Sequence, residues 1–263
     1  MKFDRVVRFT LASFLLLVTS LVWTGRAGSF DEDGYGTMTG QFVLDGELPE
    51  PKLLVAKGDP QARDPGVCAA NDLYSEDLVV DSKTKGIANI FVFKRKARHI
   101  HPSLKETPKE QQGVVFDQKG CRFIPHALVL RTDQTVVVKS DDNCSHNTHT
   151  IPIRNDGENF ILQPNFREGI KLKLPRSEFI PFIVECNIHS WMKAWWLVLD
   201  HPYATKTDAK GQFTIEKLPV GEHEFYVWHE RVGWIDRKFT VKIDQGLNQL
   251  DVVKVPLARF TED

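Results

Sequence analysis

The feature that most constrains this chain is the spacing of its apolar residues. Beyond the first 27 positions they alternate, or cluster in short runs cut by Gly, Pro, Asn and Asp, and they rarely recur at the 3.6-residue helical period. Strand-like runs are Gln41 to Leu44, Leu78 to Val80, Ile87 to Phe93, Val114 to Phe116, Ala127 to Leu130, Thr135 to Lys139 and Gly169 to Leu174. They continue with Phe182 to Cys186, Ala194 to Leu199, Gln212 to Ile215, Glu224 to Trp228, Phe239 to Ile243 and Asp251 to Val255. The pattern predicts an all-β protein with strands spaced as in a sandwich or barrel. Two polar stretches, Arg95 to Gln112 and Asp200 to Gly211, read as connections and bracket a middle segment large enough for a small sandwich.

Composition excludes several classes. With 41% hydrophobic and 26% charged residues, the 263-residue chain is neither disordered nor fibrous. Its formal net charge of −1 gives no global field to recruit nucleic acid or an anionic membrane surface. Lys2, Arg5 and Arg8 precede an apolar run from Phe9 to Trp23, and small residues flank Arg26, which together read as a secretory signal over residues 1–27. The run is shorter than the ~20 residues of a membrane-spanning helix, so an uncleaved anchor is the lesser reading. The mature protein is expected to be mildly acidic and exported, in the periplasm or at the cell surface. Outside the cytoplasm, Cys68, Cys121, Cys144 and Cys186 could form two disulfides in three ways; if one ligates a metal, at most one disulfide remains.

Gly40-Gln-Phe-Val-Leu-Asp-Gly-Glu-Leu-Pro and Gly86-Ile-Ala-Asn-Ile-Phe-Val-Phe are followed far downstream by Thr207-Asp-Ala-Lys-Gly-Gln-Phe-Thr-Ile-Glu-Lys-Leu-Pro-Val-Gly221. This order resembles the carboxypeptidase-regulatory, transthyretin-like β-sandwich. The resemblance implies a discontinuous outer domain, residues 36–108 and 201–256, with residues 114–200 inserted at a surface turn. Two sandwiches in series is the alternative.

The chemistry concentrates in Cys186-Asn-Ile-His189-Ser-Trp-Met192, which follows one strand-like run and precedes another. One thiolate, one imidazole and one thioether from a tight loop are soft donors suited to copper, and a second imidazole would complete a trigonal Cys-His₂ set with a weak axial Met. Asp141-Asp-Asn-Cys-Ser-His146-Asn-Thr-His149 can supply it. With Phe123-Ile-Pro125, this combination resembles the cupredoxins, with the short ligand loop of the amicyanin type. The resemblance implies His146, Cys186, His189 and Met192 as ligands of one type 1 copper, and the Asn147 backbone N–H as a donor to the thiolate. It also implies His149 as a non-ligating histidine. Cys144 departs from the pattern, since a second sulfur there could compete for metal or oxidise onto Cys186.

The whole order, with His201-Pro-Tyr and Trp228-His-Glu230, also resembles exported cupredoxin-like chains labelled methylamine-utilisation proteins in planctomycete-type bacteria. In that setting Cys68 and Cys121 are implied as a disulfide. Were the His189 imidazole edge at the surface, Trp191, with Trp195 or Trp196 nearby, would form an apolar patch for a redox partner. Of the adjacent pair Trp195 and Trp196, at least one is expected in the core. His126 reads as a hydrogen-bonded strand residue, His99 and His101 as solvated linker residues, and His229 with Glu230 as a turn rather than an acid–base pair.

Four protein ligands leave no open coordination position, and no nucleophile elbow or phosphate loop appears, so an enzyme is not expected. The leading reading is an exported single-electron carrier with an unidentified redox partner protein. Its rivals are a surface or carbohydrate-binding scaffold, and copper capture or delivery.

Overall fold

The computed structural model describes residues 34–260; the signal read from residues 1–27 lies outside the described residues. The N-terminal part supplies β1 (Tyr35–Asp45), β2 (Leu53–Val55), a one-turn helix α1 (Pro65–Cys68), β3 (Leu73–Tyr74) and β4 (Phe91–Phe93). The middle supplies β5 (Gly113–Gln118), β6 (Phe123–Ile124), β7 (Ala127–Arg131), β8 (Thr135–Val138) and β9 (His146–Thr150). It continues with β10 (Asn159–Leu162), β11 (Ile170–Lys173), β12 (Phe182–Glu185) and β13 (Lys193–Leu199). Last come β14 (Ala204–Lys206), β15 (Gln212–Pro219), β16 (Gly221–His229), β17 (Gly233–Ile243), β18 (Gly246–Gln249) and β19 (Val253–Pro256). The protein is all-β, and among the described residues no helix is long and apolar enough to cross a membrane.

The first and last parts of the chain share sheets. Strand β1 pairs antiparallel with β15 and parallel with β18 and β19, while β4 lies between β14 and β16 in the order β14-β4-β16-β17. The middle builds two sheets of its own, β10-β9-β12-β13-β7 and β11-β8-β5-β6. Two glycines allow the early and late segments to close on each other. A Cβ on Gly86 would lie 1.9 Å from the Lys210 carbonyl oxygen, and Gly211 has φ 74° with the Phe42 carbonyl 2.2 Å from where its Cβ would stand.

Strand periodicity sorts the side chains into cores. In β1, Met38, Phe42 and Leu44 alternate inward to join Ile215, Phe225, Val227 and Ile243 in an outer core. The middle core holds Phe116, Phe123, Val138, Val184 and Trp196. Strand β13 serves two layers. Trp196 and Val198 enter the middle core, whereas Leu197 and Leu199 meet Phe91, Phe93 and Trp228 on its other face. A strand buried on both faces loses polar alternation, which is why Ala194 to Leu199 reads as a continuous apolar run. Burying each Leu there contributes about 1.5–3 kcal/mol, more than a surface ion pair would.

Several expectations change. The connection Asp200 to Gly211 contains β14, and the run Leu78 to Val80 makes only an isolated bridge, between Val80 and Ile87. His101, expected to be solvated, is buried: its ring packs on Tyr35 at 4.5 Å and its backbone N–H donates to the Tyr203 hydroxyl. Residues 53–74, grouped by sequence with the outer part, instead bury Val55, Cys68, Ala69 and Leu73 in the middle core.

Candidate metal centre

Strands β9 and β12 are antiparallel neighbours, with Glu185 opposite His149, and β12 turns into β13 with Glu185 opposite Lys193. This pairing runs the start of β9, where His146 lies, alongside Cys186, the residue that follows β12. Between β12 and β13 the chain makes a tight loop in which Cys186 N–H donates to the Met192 carbonyl (3.1 Å) and Met192 N–H to the His189 carbonyl (2.9 Å). Asn147 locks this loop to β9. Its Oδ1 accepts the backbone N–H groups of Asn187 (2.6 Å) and Ile188 (3.2 Å), and its own N–H points at Cys186 Sγ (3.5 Å).

The structure brings His146, Cys186 and His189 together, with one ligand atom from each within 4.8 Å of the others. His146 Nδ1 lies 3.0 Å from His189 Nδ1, and Cys186 Sγ lies 3.8 Å from His189 Nδ1. Both imidazoles are fully buried, Cys186 is 1% exposed, and Met192 is buried in the same core. No donor has to be drawn in from solvent for these groups to meet.

Electrostatics favour a thiolate. Burial pushes the Cys186 thiol up, but hydrogen bonding to His146 and His189 and the N–H groups of Asn147 and His189 outweigh it and bring the pKa down to about 6. Burial alone would lower His146; the Asp142 carboxylate, 2.8 Å from its Nε2, and the Cys186 sulfur raise it to about 9. Two ring nitrogens 3.0 Å apart share one proton. A His146 imidazolium donating to Asp142 through Nε2 and toward His189 and Cys186 through Nδ1 accounts for all three contacts.

Asp142 and Asp64 were not singled out in the sequence. Asp142 also accepts the N–H groups of Gly120 and Cys121, and its position four residues before His146 is a local signal that could have found it. Asp64 Oδ2 lies 3.0 Å from His189 Nε2, across 125 residues of chain, where no sequence signal reaches. This contact corrects the docking expectation. The His189 edge is not at the surface, because the segment bearing Asp64 covers it. Trp191 remains half-buried, its ring 5.3 Å from that of His189 and its Nε1–H donating to the Cys121 carbonyl (3.2 Å).

Cys68 and Cys121 form a disulfide, leaving Cys144 and Cys186 free and buried. Cys144 Sγ is 3.5 Å from His146 Nε2, the ring nitrogen that also contacts Asp142. Burial, then the charges of Asp142, Asp64 and Cys186, push its thiol up to about 12, which makes it a poor nucleophile.

The remaining histidines lie elsewhere. His149 is half-buried with Nδ1 3.5 Å from Glu185. His126 precedes β7 and bonds to Glu230, which also accepts Trp195 Nε1–H (2.8 Å). His229 is 1% exposed, pushed by burial down to about 4, and its Nδ1 accepts the Arg231 N–H, so it ties a turn.

No family model and no curated protein matches this chain. Among solved structures it is similar to a reduced amicyanin mutant at 15% identity and a TM-score of 0.29, over 33% of this chain and 81% of that one. It is also similar to a purple cupredoxin from Nitrosopumilus maritimus, at 15% identity and a TM-score of 0.27, over 32% of this chain and 98% of that one. A copper-containing nitrite reductase from Thermus scotoductus is similar at 19% identity and a TM-score of 0.28, over 40% of this chain and 25% of that one.

Proposed function

We propose that this chain is an exported type 1 copper protein that carries single electrons. The observation that carries this reading is the buried convergence of Cys186 Sγ with ring nitrogens of His146 and His189 on two neighbouring strands and one hydrogen-bonded loop. The donor set fits the metal: a sulfur already biased to thiolate, two imidazoles, and Met192 in the same core next to the loop. Zinc would gain nothing from the thioether. His146, Cys186, His189 and Met192 would hold copper, and bound copper would supply one-electron redox chemistry. The chain's own residues supply preorganisation. Asn147 pins the ligand loop, Asp142 orients the His146 imidazole, and the buried surroundings exclude water.

In this reading residues 114–200 form a cupredoxin-type sandwich inserted between residues 36–108 and 201–256 of a carboxypeptidase-regulatory-like sandwich, with residues 53–74 of the first stretch packed on the inserted part. The sharing of sheets by β1, β4 and the strands from β14 onward supports it. The Cys68–Cys121 disulfide fits an oxidising compartment, the periplasm or cell surface. Four donors leave no open position for a substrate, so the role is that of a carrier serving a redox partner protein rather than an enzyme.

The test is visible absorption and electron paramagnetic resonance of the Cu(II)-titrated protein beside a Cys186→Ala variant. An intense thiolate-to-copper band at one copper per chain, lost in the variant, is expected. A colourless protein that binds no stoichiometric copper would overturn the reading and leave a scaffold role in its place.

A further inference from the structure

Both imidazoles of the centre end, at their far nitrogens, on carboxylates from different parts of the chain. For His146 the partner is local, Asp142 at 2.8 Å; for His189 it is Asp64 at 3.0 Å. Asp64 precedes α1 at the N-cap position, with a left-handed backbone (φ 50°, ψ 58°). An Asp at that position ordinarily turns its carboxylate back onto the free N–H groups of the first helical turn. Here, among the described residues, it makes no such bond. The carboxylate is directed at His189 instead, with Arg63 Nε 3.9 Å away. The segment is anchored on both sides. Asp64 carbonyl accepts the Val67 and Cys68 N–H groups, Cys68 is cross-linked to Cys121, and Gly58 N–H donates to the Ala69 carbonyl.

We propose that Asp64 is a positioning residue for the metal centre. It accepts the Nε2–H of His189, which fixes the tautomer whose Nδ1 lone pair faces His146 and Cys186. The segment carrying it roofs the imidazole, leaving His189 with no exposed surface. This inference rests on the copper reading for its electrochemical consequence, but its structural half concerns the metal-free protein. A carboxylate behind each imidazole places two negative charges beside the centre in addition to the Cys186 thiolate. That arrangement favours the more highly charged metal state, so Cu(II) is held in preference to Cu(I) relative to a variant lacking Asp64.

The experiment compares the wild type with Asp64→Asn, which keeps an acceptor oxygen without the charge, and Asp64→Ala, which removes both. Nitrogen-15 NMR of the metal-free proteins reads the His189 tautomer. Nε2–H is expected in the wild type and Asp64→Asn, and a mixture of tautomers in Asp64→Ala. In the copper-loaded proteins the ratio of Cu(II) to Cu(I) affinity should fall by about tenfold in both variants, with a raised reduction potential. A merely structural role would lower the melting temperature of the variants and leave tautomer and affinity ratio unchanged, which would overturn the proposal, as would Nδ1–H in the wild type. A wild type that takes no copper but loses its Nε2–H tautomer in Asp64→Ala would overturn the copper reading and uphold the role of Asp64.

Discussion

The roof over His189 carries one covalent cross-link, and its removal has a calculable cost. Cys68 and Cys121 are separated by 53 residues, their Cα atoms are 5.2 Å apart, and both are buried. Closing a loop of that length in the unfolded chain costs conformational entropy worth about 4 kcal/mol at 25 °C on the chain-entropy account. A Cys68→Ala/Cys121→Ala double variant should lose that much stability in urea unfolding followed by tryptophan fluorescence. The denaturant slope should rise, because an unfolded chain without the cross-link exposes more surface. The loss should be concentrated where the disulfide anchors the chain. Without it, residues 56–70 keep the Lys57 N–H bond to Asp72 (2.8 Å) and the Asp64 contact to His189, so their amide protection should fall before that of β9 and β12. A stability loss under about 1 kcal/mol with an unchanged slope would refute the loop-closure argument.

Other outcomes follow from the site and the cores. In the metal-free protein the thiolate absorbance of Cys186 should develop with a midpoint near pH 6; a midpoint in the ordinary thiol range would contradict the geometry. Because the folded pKa is lowered for Cys186, its contribution to stability is lost as pH falls through about 6, while that of His146, raised to about 9, is lost as pH climbs through about 9. Between pH 6.5 and 9 the two contributions change in opposite directions and cancel to first order, so the melting temperature of the metal-free protein should stay nearly level across that window, whereas Cys186→Ala, which keeps the Asp142–His146 pair, should let it fall as pH rises. Glu178, 2% exposed, accepts the N–H groups of Ile153, Arg154 and Asn155 and the Asn155 side-chain amide (2.7 Å). Glu178→Gln turns an amide toward those donors and should cost about 2–3 kcal/mol in urea unfolding. Trp196→Ala, deleting a fully buried ring 4.7 Å from that of Phe116, should cost about 3–5 kcal/mol, whereas Ile161→Ala on an exposed face should stay within about 0.5 kcal/mol.

Strands β5, β7, β8, β12 and β13 were legible because their apolar residues follow the pleat or fill both faces. Strand β9 was not, because its sequence His-Asn-Thr-His-Thr reads as a polar loop, yet four of its five side chains are buried. Polar residues can be buried there because they find partners: Asn147 satisfies the ligand loop, and the Thr148 hydroxyl accepts from Gln118 Nε2. Strand β1 begins at Tyr35, earlier than its apolar run suggests. Gly36 and Gly40, ahead of that run, lie inside the strand, where a Cβ on Gly36 would meet the Asp244 carbonyl at 2.2 Å. His101 looked solvated because its segment is polar, whereas contacts with Tyr35 and Tyr203 from distant parts of the chain help to bury it.

The sequence by itself determined what short covalent spacing can determine. Pleat periodicity gave the all-β class, and Cys186, His189 and Met192, three residues apart, had to share one loop between two strands. Tertiary structure decided everything that required distant segments to meet. It set the register of β9 beside β12, which carries His146 to Cys186, and it closed the His189 edge with Asp64 from 125 residues away. The difference is physical: local spacing is fixed by bond geometry, whereas a contact across so much chain exists only once the packing of whole sheets has repaid the entropy of closing the loop between them.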